Sequence, residues 1–362
     1  MMRRRVNRDT KHIIYSNMSG ELKSVLEDGP IEGEPFVSVC VITYNHGKYI
    51  RQCLDGILMQ KVNFPYEILI HDDASPDDTA DIIREYWEKY PTVIKPILRT
   101  ENQYSKGVDV CRFNFDRAKA KYIAQCEGDD YWIDDGKLQM QVDFLEEHGE
   151  YVACVHRVRV VDENNQDDCA SIFSRDYDTT IFTLDDAQKY NICTGVAGHF
   201  SSTVYKNLFQ SSHESIVNSY YNTHAHGDRK LSLYLTLNGN VYRFDETMST
   251  YRHITSTGTS WSARSNYLSN FILLNVLQLN ELERFAKEAY NVTLNYDMSK
   301  SFCFLVSIYY LICRRNMASL SELIGIIKLM TPKQIILSPI CLFQNRKKAI
   351  FHLKNKFNVD FS

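Results

Sequence analysis

The chain has 362 residues, 44% of them hydrophobic and 24% charged, enough for one sizeable globular domain with an appendage. This composition excludes a disordered chain, a fibre or a disulfide-stapled peptide scaffold, and a net charge of −4 gives no reason to expect nucleic acid as the partner. The charge is uneven: residues 300–362 hold ten Lys and Arg against Glu322 and Asp360, a balance of +8, which leaves the first 299 residues at −12.

Residues 1–34 are polar and without periodicity, which predicts an extension. Its basic start, Met1 to Arg5, meets no apolar segment before Pro35, so no secretory leader is expected. Phe36 to Thr43 is an apolar, β-branched run that suits a strand buried on both faces, and it ends at Tyr44-Asn45-His46-Gly47. Tyr49 to Gln60 carries Ile50, Leu54, Ile57 and Leu58 at helical spacing, and Tyr66 to His71 is a second buried strand that ends in Asp72-Asp73-Ala74-Ser75. Asp77-Asp78-Thr79 opens a helix through Tyr90, with acids where the helix dipole favours them. Val93 to Leu98 reads as a third strand, Asp109 to Lys119 as a helix, Lys121 to Cys126 as a fourth strand and Trp132 to His148 as a helix. This alternation predicts an α/β domain, a doubly wound, mostly parallel sheet flanked by helices.

Ligands of such sheets bind beyond the carboxyl ends of the strands. Three strands run out into polar residues there: Tyr44-Asn45, Asp72-Asp73 and Glu127-Gly128-Asp129-Asp130. No G-x-G-x-x-G or P-loop lysine motif follows the first strand, which argues against dinucleotide oxidoreductases and phosphate-loop NTPases. With carboxylates in place of a glycine cradle, bound phosphates would need a divalent cation, and oxygen ligands suit Mn²⁺ or Mg²⁺. The alternative for the acidic run is a solvated turn at the start of the following helix.

Three strings in order carry a resemblance: Val39-Cys40-Val41-Ile42-Thr43-Tyr44-Asn45; Glu67 to Thr79, with Asp72-Asp73-Ala74-Ser75 at its centre; and Glu127-Gly128-Asp129-Asp130-Tyr131-Trp132 with Lys137-Leu138 behind. In them, residues 36–150 resemble the nucleotide-binding half of the family 2 glycosyltransferases, which have the GT-A fold. The resemblance implies that Tyr44, with Asn45, lies against the base of a nucleotide-sugar donor and that Asp73 accepts a hydrogen bond from the base edge. It further implies that Asp129, with Asp130 beside it, holds the metal. Glu127 stands where the family has aspartate, so contact with the ribose or with the metal stays open. Asn102 and Asn114 fit a looser donor pattern, with polar caps as the alternative.

After Glu150 the sequence turns strand-like, Tyr151 to His156 and Val158 to Val161, then polar from Asp162 to Asp168. Gly227-Asp228 opening an amphipathic helix, Gly239 closing it and a strand leading to Tyr251-Arg252-His253 are similar to the family string in which the aspartate is the general base of inverting transfer. Asp228 is therefore expected as the base, with helix capping as its other use. Arg252 and His253 are expected at the diphosphate, with surface salt bridging as the alternative. His224, His226 and Asp228 also have the spacing of an H-x-H-x-D metal site.

From Asn266 onward the chain reads as helical, a C-terminal appendage in which Phe302 to Cys313 falls short of the roughly 20 apolar residues of a membrane span. Its positive charge, beside Ile335-Ile336-Leu337 and Ile340-Cys341-Leu342-Phe343, suits an anionic membrane surface. Ten cysteines, never as C-x-x-C and set in apolar runs, suit reduced thiols of the cytoplasm. The expected organisation is an extension (1–34), a GT-A domain (35–262) with a nucleotide-binding half (35–150) and an acceptor half (151–262), and a basic helical region (263–362). The expected activity is metal-dependent, inverting transfer of a monosaccharide from a nucleotide-diphosphate sugar, UDP-sugar first, to a glycan or lipid-linked glycan, in the cytoplasm or at the inner face of the membrane. A non-catalytic binding module on the same fold is the competing reading. A sugar-1-phosphate nucleotidyltransferase would need a glycine-rich basic loop after the first strand, which Tyr44 to Lys48 does not supply.

Overall fold

The computed structural model describes residues 23–26, 29, 31–168, 179–189, 196–254, 271–314 and 317–338. The opening half builds the expected parallel sheet: β1 (Val37–Thr43), α1 (Ile50–Leu58), β2 (Tyr66–Asp72), α2 (Thr79–Lys89), β3 (Ile94–Leu98), α3 (Arg112–Phe115) and β4 (Tyr122–Glu127). β1 pairs in parallel with β2 and with β4, and β2 with β3, so β1 is central and buried on both faces. Its alternation divides the core. Val37, Val39 and Val41 face one cluster with Ile57, Ile68 and Leu138, whereas Cys40 faces the other with Leu69, Ile123 and Tyr205.

Two expectations in this half change. The helix expected over Asp109 to Lys119 is the four-residue α3, because Asn114 and Arg117 turn their side chains onto the sheet: Asn114 Nδ2 donates to Val41 O at 2.9 Å and Arg117 Nη2 to Ile70 O at 2.9 Å. Asn114 is thus a buried brace of β1. The helix expected from Trp132 begins later, because β5 (Tyr131–Trp132) pairs antiparallel with a strand from the second half, and α4 (Lys137–Glu147) follows it.

The second half supplies β6 (Tyr151–Val161), β7 (Ile181–Phe182), α5 (Leu184–Lys189), β8 (Val204–Lys206), α6 (Leu208–Ser211), α7 (Glu214–Tyr221), α8 (Gly227–Asn238) and β9 (Asn240–Arg252). The two strand-like stretches after Glu150 form the one strand β6, whose register shifts around Arg157. Across the sheet the order is β3-β2-β1-β4-β8-β6-β9-β5, with β7 also on β9. β8 is antiparallel to both β4 and β6, and β6 and β9 run parallel. The long strand β9 carries the chain to the edge where β4 delivers its acids, through its pairing with β5.

α9 (Phe271–Tyr290), α10 (Asp297–Arg314) and α11 (Met317–Leu329) follow, with residues 332–338 again helical. Leu279, Leu282 and Phe285 of α9 join the second core cluster, with Tyr220 and Leu231, while Ile272 and Val276 join Phe302, Val306 and Ile326 in a third. The segments around Ile340 to Phe343 and Arg346 to Lys348 lie outside the described residues.

Candidate active site

The exits of the parallel strands are cross-tied through their backbones. Asn45 and Ala74 adopt left-handed φ values of 59° and 63°, which turn each chain sharply at the end of its strand. Asn45 N–H donates to Ser75 Oγ at 2.8 Å, His46 N–H to Thr79 Oγ1 at 2.9 Å and Gly47 N–H to Asp77 Oδ2 at 2.8 Å. Tyr44 is half-buried in this rim.

Asp73, expected at a base edge, is already engaged. Its carboxylate accepts the backbone N–H groups of Gln103 (2.8 Å) and Tyr104 (2.9 Å) and holds the 102–107 loop above the end of β2. Asn102 serves the same loop: its Nδ2 donates to Asp73 O and its Oδ1 accepts Ser105 N–H. The observed contacts of both residues are those of a loop anchor.

The acidic run after β4 divides into outward and inward carboxylates. Asp129 is 16% exposed, with His46 Nε2 at 3.6 Å. Asp130, expected beside it as a metal ligand, is buried: Oδ1 accepts Arg252 N–H at 2.9 Å, Oδ2 accepts the Ser201 hydroxyl, and His199 Nδ1 stands 3.6 Å away. Just before them Gly128 is packed so tightly that a Cβ would fall 2.6 Å from Thr43 Oγ1 and 2.9 Å from His46 Nδ1. Those two atoms are buried without a hydrogen-bond partner.

Arg252, expected at the diphosphate, is engaged by the protein itself. The side chain is buried. Nε donates to Asp129 O at 2.9 Å, Nη1 to Asn165 Oδ1 at 2.6 Å and Nη2 to Gln52 Oε1 at 2.9 Å, and the guanidinium lies 4.4 Å from the Tyr49 ring centroid. It braces the acidic run from behind. His253 is 18% exposed and pairs with Asp168 at 2.6 Å.

Asp228 enters from the second half, in the first turn of α8, 22% exposed. Desolvation pushes its carboxyl up to about 6, opposed by Arg229. Glu127 is held well above the ordinary carboxylate range by desolvation first, then by the negative charges of Asp130, Asp129 and Asp228. Asp228 thus belongs to the same electrostatic cluster as the β4 acids, although a hundred residues separate them in sequence.

A divalent cation suits this donor set, because crowded carboxylates that would otherwise retain protons are relieved by positive charge and offer hard oxygen ligands. Among the described residues one trio of metal-type donors lies together, Glu127, Asp130 and His199, with ligand atoms within 4.8 Å of one another. The bonds Asp130 already makes leave Asp129 as the more open carboxylate. His224 and His226 are not gathered into such a trio; His224 N–H instead donates to Glu281 Oε2. His46, directly after Tyr44-Asn45, was open to detection as a third polar residue at the same strand exit. His199 and Ser201 carry no local signal, since their contact with Asp130 spans some seventy residues.

A mixed sheet with its acids after the fourth strand, met by a carboxylate on a helix from the second half, is the architecture of a GT-A glycosyltransferase. Residues 38–208, a little under half of the chain, match the model of the family described as glycosyl transferase family 2. An uncharacterized protein of Mycobacterium tuberculosis is 44% identical over 134 residues, 36% of this chain and 38% of that protein. A chondroitin synthase of Escherichia coli is 28% identical over 200 residues, 54% of this chain and 27% of the synthase. The matched stretches therefore span well under half of these relatives. Staphylococcus aureus TarS, solved in complex with UDP-GlcNAc, shares the fold at a TM-score of 0.57 and 15% identity, over 89% of this chain and 90% of that one.

Proposed function

We propose that the chain transfers a monosaccharide, with inversion, from a nucleotide-diphosphate sugar to a glycan or lipid-linked glycan of bacterial surface polysaccharide. The observation that carries this reading is that the charge of Asp228, from the second half, acts on Glu127 together with those of Asp129 and Asp130, at the carboxyl end of β4. The acceptor hydroxyl attacks the anomeric carbon opposite the leaving nucleotide, and Asp228 takes its proton. A bound Mn²⁺ or Mg²⁺, held by Asp129 with Glu127 beside it, would offset charge on the departing diphosphate. Tyr44, Asn45 and the loop anchored by Asp73 and Asn102 bound the space for the base, and His253 lies at the rim. Arg252 fixes Asp129 and does not touch the donor. UDP-sugars come first because TarS, which shares the fold, was solved with UDP-GlcNAc. No helix among the described residues is long and apolar enough to cross a membrane. The basic C-terminal region favours contact with an anionic inner leaflet, where a lipid-linked acceptor would be met.

The test is thermal stabilisation by UDP, GDP and dTDP, each with and without Mn²⁺, on the wild type and Asp129→Ala, since a ligand of the native state raises its apparent stability. One nucleotide is expected to stabilise with Mn²⁺ only, and Asp129→Ala to lose the effect. Stabilisation in every case but no turnover of a UDP-hexose panel would leave the binding module as the better reading.

A further inference from the structure

The first turn of α8 carries Asp228, yet His226 at the N-cap position makes no capping hydrogen bond through its side chain, and Gly227 is open to solvent with nothing within 4 Å of where its Cβ would be. Within the same turn, Arg229 Nη1 donates to Asn275 Oδ1 of α9 at 2.8 Å. Lys230, two residues after Asp228, is 3% exposed, and its Nζ lies 2.5 Å from Asp109 Oδ2. The same ammonium stands 4.4 Å from the ring centroid of Tyr220, a buried residue of α7. Asp109 is 20% exposed, and its other oxygen accepts Cys111 N–H at 3.1 Å, so the carboxylate is itself oriented. Its segment begins at the 102–107 loop held by Asp73 and ends at α3, whose Asn114 is bonded to β1.

An ammonium with almost no access to water cannot leave its carboxylate without a large desolvation penalty, which makes this ion pair a rigid strut. It joins the catalytic-base helix to the nucleotide-binding half across 121 residues of sequence. We propose that Lys230, acting through Asp109, is a positioning residue for transfer: it fixes the first turn of α8 so that the Asp228 carboxylate faces the β4 acids. The inference rests on the reading of Asp228 as the base.

The experiment compares Lys230→Met, Asp109→Asn, the paired Lys230→Met/Asp109→Leu, and Asp228→Asn alone and combined with Lys230→Met. UDP release is followed from the member of a UDP-hexose panel that the wild type turns over with Mn²⁺, alongside stabilisation by UDP. Misplacing a reacting group by about 1 Å can cost on the order of 100-fold in rate. Each single variant of the pair is expected to lose roughly 10- to 100-fold in kcat, with donor KM and UDP stabilisation within about twofold of wild type. The paired variant should be no slower than the slower single, and Lys230→Met added to Asp228→Asn should cost nothing further. Folded Lys230→Met or Asp109→Asn with wild-type kcat, or a loss confined to KM, overturns the proposal. Should Lys230→Met fail to fold, Asp109→Asn and the paired variant decide it by the same criteria. Asp228→Asn with wild-type kcat would instead remove the base reading, an outcome distinct from both.

Discussion

Asp228 and Arg252 show how much two side chains of one site can differ. Desolvation centres the ionisation of Asp228 at about 6, and only the ionised form accepts a proton. Turnover is therefore expected to fall about tenfold per pH unit below about 6 and to level off above it, while nucleotide binding persists. Asp228→Asn should lose at least about 100-fold in turnover and keep stabilisation by UDP with Mn²⁺; equal loss of both would assign the residue to the donor instead. Arg252→Met leaves Asp129 O, Asn165 Oδ1 and Gln52 Oε1 without their donor. It should cost about 3–5 kcal/mol, read from the urea midpoint, and should abolish metal-dependent nucleotide stabilisation. Three of the four acids were visible in sequence because they fall within four consecutive residues at the end of a buried strand. The inward turn of Arg252 was not, because its partners at 52, 129, 130 and 165 share no local pattern with it.

Periodicity located the parallel strands because their apolar runs are short, β-branched and buried on both faces. It overextended the segment after Asp109, where side chains bond to neighbouring strands in place of continuing a helix. It also missed β5, a two-residue strand that exists only through its pairing with β9. The contact between β1 and the loop after β4 carries a further prediction. In Gly128→Ala the new methyl would meet Thr43 and His46 at distances that no ordinary Cβ adopts, so the acidic loop must move away from the end of β1. Loss of nucleotide stabilisation with little change in the unfolding midpoint is expected; unchanged nucleotide binding would show that the loop yields without consequence.

Across the whole molecule, two charge features bear on stability and location. Lys137 is buried against the Trp132 ring, 3.8 Å from its centroid, and burial pulls its ammonium down to about 7 from 10.5. Between those values the unfolded chain binds more protons than the folded one, so this lysine makes stability rise with pH, by up to about 1.4 kcal/mol per unit. Lys137→Met should flatten that part of the pH–stability profile, and an unchanged slope would refute the assignment. Glu322, one of two acids after residue 300, is withdrawn into the fold, where it accepts the Ile272 and Leu273 amides. Ile324 and Ile327 on the same helix stay exposed. The full chain should sediment with phosphatidylglycerol vesicles at low salt and be released near about 0.5 M, with no binding to phosphatidylcholine alone; equal binding to both would exclude an electrostatic attachment.

The strand β9 has a practical consequence for how this chain can be divided. The family match stops at residue 208, but the strand that ends at Arg252, and the helix that precedes it, complete the edge that carries the acids. A fragment trimmed to the matched limits would keep every acid of the β4 run, yet leave Asp130 without the Arg252 amide and β5 without its partner. The boundary that relatives share in sequence cuts through the middle of the working unit. A shortened fragment is therefore expected to keep the acidic run in place only when its end falls beyond Arg252.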